Sequence, residues 1–331
     1  MTKFNRRTVL AISALALVAS ACGSSAKTAA TTVAPAAVTT AAPAAAVTTA
    51  APAAAAVTTA APNAMGGKVK GAPFDKALHD LLPPEIQKAG FMTFATDPTD
   101  PPLEFKDDAN KLVGAEVDLA AALGSVLGVE IKLVESKFDA IIPGIEAGRF
   151  DGSVSGFADR TKRQAIVDFV DNFTTSRGYL RQTGKFPELN DAKDLCGRIV
   201  AVAKGTSIAD NVPKLSEDCV AAGKKAIDAQ VFPDQGACVL AVQSGRADLT
   251  VLSAHAALWI AKNSSGALET VIRPTEGNDV NGIVLKKKVL AEPFQKAMQG
   301  LMDSGTFKEI FGKWGLEKVI LTKATLNAGT N

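Results

Sequence analysis

Histidine is almost missing from this chain: His79 and His255 are the only two, and neither has a cysteine beside it. A structural zinc site needs four Cys or His ligands at close spacing, so none is expected, and no other cofactor is implied. Long apolar runs are also missing. After the N-terminus no stretch reaches the roughly 18 uninterrupted apolar residues of a membrane-spanning helix. Charge of one sign is not in excess either, since 36 Lys and Arg face 34 Asp and Glu, which leaves no basic footprint for nucleic acid.

What is present begins with Lys3, Arg6 and Arg7, followed by an apolar run from Val9 to Val18 and the small residues Ala19, Ser20 and Ala21. This is the pattern of a signal peptide over residues 1–21. Ala19-Ser20-Ala21 suits ordinary cleavage, whereas Ala21-Cys22-Gly23 suits a bacterial lipobox. A cysteine at the cleavage point followed by a long tether favours lipidation at Cys22. Arg6-Arg7 also permits twin-arginine export. The expected location is the outer face of the cytoplasmic membrane, held there by N-terminal lipid. Removing the signal peptide takes away three basic residues and no acid, so the formal charge of +2 becomes about −1.

From Ser24 to Ala64 the chain is almost only Ala, Thr, Pro and Val, and Val-Thr-Thr-Ala-Ala-Pro recurs at Val38, Val47 and Val57. Small side chains and regularly spaced prolines build no core, so residues 22–67 read as an extended tether, with threonines open to glycosylation. The roughly 260 residues that follow suffice for two lobes of ordinary domain size.

Three cysteines remain after Cys22 is assigned to lipid. Cys196 precedes a strand candidate and Cys219 sits in a polar stretch, while Cys238 lies among Ala237, Val239 and Leu240 in a helical run. In an exported chain the expected disulfide is therefore Cys196–Cys219, with Cys238 a buried thiol. Closing a loop of that length stabilises the fold by about 3 kcal/mol in the chain-entropy treatment.

Strand and helix candidates alternate, which indicates an α/β fold. A short helix over 74–82, closed by Pro83-Pro84, precedes strands at 91–95, 130–134 and 152–155, with helices at 116–127 and 138–147 between them. A second series places strands at 199–202, 229–232 and 249–252 and helices from Ser207, at 235–243 and at 254–262. A last strand at 283–285 and helices at 290–302 and 306–311 are too small to stand alone. The organisation expected is a first lobe over 68–177, a second over 178–277, and a return to the first over 278–331. Two extended crossings between the lobes make a hinge around a cleft. In such sheets ligands lie beyond the carboxyl ends of the strands.

Segments at those strand ends resemble the bacterial extracellular solute-binding proteins for polar amino acids, the periplasmic components of ABC importers. The resemblance runs from about Phe74 to Leu316. It includes Ala95-Thr96-Asp97 before Pro101-Pro102-Leu103-Glu104-Phe105, Leu112-Val113-Gly114-Ala115-Glu116-Val117-Asp118-Leu119, and Phe138-Asp139-Ala140-Ile141-Ile142-Pro143-Gly144. It continues through Gly148-Arg149-Phe150-Asp151, Arg163 before Val167-Asp168-Phe169, Lys204-Gly205-Thr206, Ser244-Gly245-Arg246-Ala247-Asp248, and Gly305-Thr306 before Lys313-Trp314-Gly315. The order and spacing of these segments imply the two-lobe periplasmic-binding fold, an amino-acid ligand, a membrane permease as partner, and a monomer.

Arg163 follows the loop from Ser155 and Gly156 to Asp159, where a guanidinium can grip a carboxylate bidentately. A lone arginine opening a helix is ordinarily solvated, but the resemblance assigns this one to the ligand's α-carboxylate. Thr206 and Ser207, between a strand and a helix, offer hydroxyls and backbone N–H groups to an anion as well as ordinary capping. Phe138 occupies the family's aromatic pocket position, with core packing as the alternative.

Three positions depart from the family's pattern: Asp100 replaces an aromatic residue, Ala158 a Ser or Thr, and Ser253 the Asp that binds the α-ammonium. Loss of that carboxylate forfeits a charge-assisted bond worth about 1.5–3 kcal/mol. Asp97 and Asp100, with Asp279 near the second crossing, are candidates for a replacement anion, which points to a cationic ligand group. Capture of a polar or cationic amino acid, or a related small carboxylate, without chemistry is therefore expected. The alternatives are a cyclohexadienyl dehydratase-like lyase, with Asp97, Asp100 or Glu104 as acid, and a ligand sensor.

Overall fold

The computed structural model of the chain describes residues 70–330 except 190, 275, 276 and 278. The expected signal peptide, Cys22 and nearly all of the tether lie outside the described residues. Among the described residues no helix is long and apolar enough to cross a membrane.

Helices α1 (Lys76–His79) and α2 (Pro84–Ala89) precede β1 (Phe91–Thr96). A small antiparallel ribbon follows, formed by β2 (Thr99–Asp100), β3 (Glu104–Lys106) and β4 (Leu112–Val113). Then come α3 (Ala115–Leu127), β5 (Glu130–Glu135), α4 (Phe138–Glu146), β6 (Gly152–Ser153), α5 (Thr161–Gln164) and β7 (Val167–Thr175). The second lobe holds β8 (Arg177–Gln182), β9 (Ile199–Ala203), α6 (Ser207–Ala221), β10 (Asp228–Phe232), α7 (Gln235–Gln243), β11 (Leu249–Ser253), α8 (Ala254–Lys262) and β12 (Leu268–Arg273). The chain returns through β13 (Asp279–Lys286), α9 (Ala291–Asp303), α10 (Thr306–Lys313) and β14 (Ile320–Leu326).

Six strands form the first sheet in the order β14-β7-β13-β6-β1-β5, and five form the second in the order β10-β9-β11-β8-β12. In the first, β1 runs parallel to β5 and β6, while β13 is antiparallel to β6 and β7. Ser176 alone separates β7 from β8, so the chain changes lobes within one residue. The return lies beside it: Asp279 pairs with Thr175 and Arg273 with Arg177.

Each sheet is covered on both faces. Phe94, Leu119, Leu123, Phe294 and Phe311 fill one side of the first, and Ile141, Ile145, Phe157 and Phe169 the other. In the second lobe, Leu180, Ala201, Val242 and Ala256 lie in one core cluster and Tyr179, Val200, Val202 and Val212 in another. Burying each such large side chain contributes about 1.5–3 kcal/mol. Cys196 and Cys219 form a disulfide that ties α6 to the segment before β9, and Cys238 is buried and free.

Two expectations are corrected. Pro83-Pro84 does not merely end a helix over 74–82; that helix is the single turn of α1, and Pro84 opens α2 as its first residue, where a missing N–H costs nothing. The sequence reading also misses β7, β8, β12 and β14. In β7, Asp168, Asp171 and Asn172 interrupt the apolar run yet are buried. Backbone N–H of Lys288 donates to Asp168 and that of Ala328 to Asp171 Oδ2, so these acids find partners distant in sequence, while Asp171 Oδ1 accepts no hydrogen bond.

Candidate ligand-binding site

The carboxyl ends of β1, β6, β9 and β11 face one another across the two lobes, next to the crossings. Two adjoining cavities lie there, with about 240 and 410 Å³ of empty space. The smaller is lined by Asp97, Asp100, Glu104, Phe138, Ser155 and Thr206 among others. The larger is lined by Asp100, Phe138, Gly156, Arg163, Arg177, Thr206, Ser207, Ser253 and Asp279, and also by Ala158. All ten residues singled out from sequence thus lie along one cleft.

Arg163 spans it. Its Nη1 donates to the carbonyl of Ala158 at 2.8 Å and its Nη2 to the carbonyl of Gly205, in the other lobe, at 3.0 Å. The guanidinium lies 5.7 and 5.2 Å from the rings of Phe138 and Phe157, which stack on each other at 4.2 Å. Burial, with Arg160 nearby, lowers its pKa to about 10, so it stays cationic at neutral pH. Two of its five N–H groups serve the fold, and the rest can serve a carboxylate.

The acids differ in how far they are engaged. Asp97 accepts the Phe138 backbone N–H at 2.9 Å and the Thr99 hydroxyl at 2.9 Å, so it holds the start of α4. Burial raises its pKa, opposed by those two hydrogen bonds. Asp279 is gripped by two arginines: Arg160 Nη2 lies 3.0 and 3.1 Å from its two oxygens and Arg177 Nη2 lies 2.6 Å from Oδ2. It is therefore not a free anion.

Asp100 differs. It is buried, it lines both cavities, and its Oδ1 accepts no hydrogen bond. His255 of α8 stands beside it, with Nε2 3.4 Å from Oδ1 and 3.5 Å from Oδ2. Gly156 makes room for this carboxylate: at φ +55° it favours glycine, and a Cβ there would come within 2.5 Å of Asp100 Oδ2.

The hydroxyls take local roles. Thr206 caps α6 by accepting the Ala209 N–H at 3.1 Å, and Ser207 accepts from Arg177 at 3.3 Å. Ser155 accepts the Asp97 N–H and donates to Glu104. Ser253 ends β11 as the N-cap of α8 without making a capping hydrogen bond. Lys137–Asp234 and Lys204–Asp139 ion pairs, each at 2.7 Å, join the lobes at the rim.

Sequence reasoning missed Arg177, because β7 and β8, which place it at a crossing, were not recognised. It also left His255 out of the site. The available signal was its position two residues past a strand end, the rule that found the other residues.

This cleft, closed by two lobes joined through paired crossings, fits a sequence comparison. The profile described as bacterial extracellular solute-binding proteins, family 3, matches residues 92–317. The chain belongs to this family. Among its relatives, the arginine-binding protein ArgT of Corynebacterium glutamicum is 29% identical over 248 residues, 75% of this chain and 81% of ArgT. Among solved structures, an ancestral arginine-binding protein bound to arginine is 28% identical with a TM-score of 0.63, covering 68% of this chain and 98% of that one. An ancestral amino acid-binding protein, described as a precursor of cyclohexadienyl dehydratase, is 26% identical with a TM-score of 0.62, covering 70% and 97%. As a family member the chain has the two-lobe fold of an extracellular solute-binding protein. The relatives named here are binding proteins.

Proposed function

We propose that the chain is an exported receptor, anchored by lipid at Cys22, that captures an amino acid with a cationic side chain and delivers it to an ABC importer. Lobes meeting at 175–177, beside Arg273 and Asp279, would close on the ligand, with Arg163 holding its carboxylate. One observation carries the cationic preference. Of the acids in the cleft, Asp97 is engaged by α4 and Asp279 by two arginines, while Asp100 and Glu104 each keep a buried oxygen with no hydrogen bond, and of these two only Asp100 lines both cavities. An unpaired buried carboxylate is costly until a cation reaches it. Relatives named for arginine binding support the same reading.

The test is calorimetry with arginine, lysine, glutamine and glutamate. Arginine or lysine should bind tightest, and Asp100→Asn should weaken them by more than tenfold while changing glutamine little. Equal losses for arginine and glutamine would remove the basis for the preference. A lyase built on this cleft would need a proton donor beside the ligand, and Glu104 is the side chain so placed. Formation of an aromatic product from prephenate would replace capture with turnover.

A further inference from the structure

In the lining of the smaller cavity and behind it lie two carboxyl groups that ligand capture alone does not require. Glu104 of β3 and Glu116 of α3 are both fully buried. Glu104 Oε1 accepts the Ser155 hydroxyl at 3.2 Å, and Glu116 Oε2 accepts the Gly156 N–H at 2.8 Å. The remaining oxygens, Glu104 Oε2 and Glu116 Oε1, have no donor from the rest of the protein. Because Ser155 and Gly156 are consecutive, the two carboxyl groups converge on one turn. Two carboxylates cannot meet this way unless one carries a proton, which then supplies the missing donor.

We infer that Glu104, in the cavity lining, and Glu116 behind it are held protonated, and that a cationic ligand group arriving at Asp100 drives one of their protons to solvent, coupling capture to proton release. The inference rests on the cationic-ligand reading above. Charged groups facing the pair are Asp100 of β2 and His255 of α8; Asp97 lies across Ser155, and Arg163, Arg177 and Asp279 stand along the adjoining cavity. Burial raises Glu116 to about 7. Burial, together with the charges of Glu116 and Asp100, holds Glu104 well above the usual carboxylate range.

The sign follows from charge. A cation beside the pair favours its ionised form, so bound protein holds fewer protons than free protein. Affinity for the cation then rises with pH up to the free protein's titration near 7, by at most about tenfold per pH unit for one proton. Arginine's guanidinium does not titrate in this range.

Calorimetry at pH 6.5 in two buffers of different ionisation heat reads the release directly. Arginine should show a buffer-dependent heat corresponding to a substantial fraction of a proton, glutamine little or none, and Glu104→Gln should abolish the dependence. Buffer-independent arginine heats would overturn the inference, as would equal release for both ligands. So would release that survives Glu104→Gln but disappears in His255→Gln, which makes the imidazole the source. Should Glu104→Gln not fold, the unsubstituted protein decides: arginine affinity that is flat from pH 5.5 to 7 overturns the coupling. Failure to bind any cationic amino acid would sink the proposed ligand class and this inference with it, whereas arginine binding without proton release sinks the inference alone.

Discussion

Replacing Arg163 by alanine tests the assignment of the cleft most directly. The guanidinium already donates across the lobes to the Ala158 and Gly205 carbonyls and keeps further N–H groups for a ligand. A bidentate grip on a carboxylate adds two charge-assisted hydrogen bonds at about 1.5–3 kcal/mol each, so its removal should weaken binding by roughly a hundredfold to ten-thousandfold. Arg163→Lys keeps the charge but not the planar fork and should recover about half of that in free energy. The two carbonyl bonds contribute about 1 kcal/mol each to the ligand-free protein, so its melting temperature should fall by only a few degrees. Calorimetry on both variants, with thermal melts of the ligand-free proteins, separates the effects. Arg163→Ala binding within threefold of the unsubstituted protein would refute the carboxylate role.

Asp279→Asn leaves buried Arg177 and half-buried Arg160 facing a neutral amide, and breaking such a pair should cost about 3–5 kcal/mol in denaturant unfolding; a loss below 1 kcal/mol would show that the triad is not holding the crossing. Removing the disulfide with Cys196→Ser and Cys219→Ser should cost about 3 kcal/mol, and an unchanged urea midpoint would contradict that. Burial pushes Glu116 and Asp171 up to about 7 from ordinary values of 4.5 and 3.8, so the folded chain keeps protons that the unfolded chain sheds. Stability should therefore fall as pH rises from about 4 toward 7, and Asp171→Asn should flatten that fall; a midpoint that increases across this range from these groups would reverse the sign. Ser253→Asp restores an acid at a helix N-cap facing the cleft, and should improve glutamine binding more than arginine binding in calorimetry, because only a neutral ligand lacks a second cation for Asp100 to hold.

The site was readable where a residue follows a strand that shows itself as a short apolar run. Asp97 after β1, Ser155 and Gly156 after β6, Thr206 and Ser207 after β9, and Ser253 at the end of β11 all obey that rule, and all line the cleft. Arg177 escaped because β7 carries acids in its interior and ends one residue before β8, leaving no turn to mark the boundary. Those acids are bonded by Lys288, Thr325 and Ala328, more than a hundred residues away, and a local pattern holds no trace of such partners. Glu104 and Glu116 escaped as a pair for the same reason: each sits in a recognisable segment, but only the packing of β3 on α3 joins them.

Two of the three departures from the family's pattern, Asp100 and Ser253, make physical sense together. With Ser at 253, the second lobe offers no carboxylate at the end of β11. Asp100 places one in the first lobe, where Gly156 leaves space for it, and His255, two residues beyond Ser253, reaches back across the cleft toward it. The negative charge has thus changed lobes, and the second lobe answers it with an imidazole. A ligand cation at Asp100 must compete with His255 for the same oxygens, which penalises any ligand whose positive group is too short to enter between them. Under the proposed function, selectivity for a long cationic side chain over a bare α-ammonium would then follow from the placement of one acid, one glycine and one histidine, with Arg163 proposed to hold the other end.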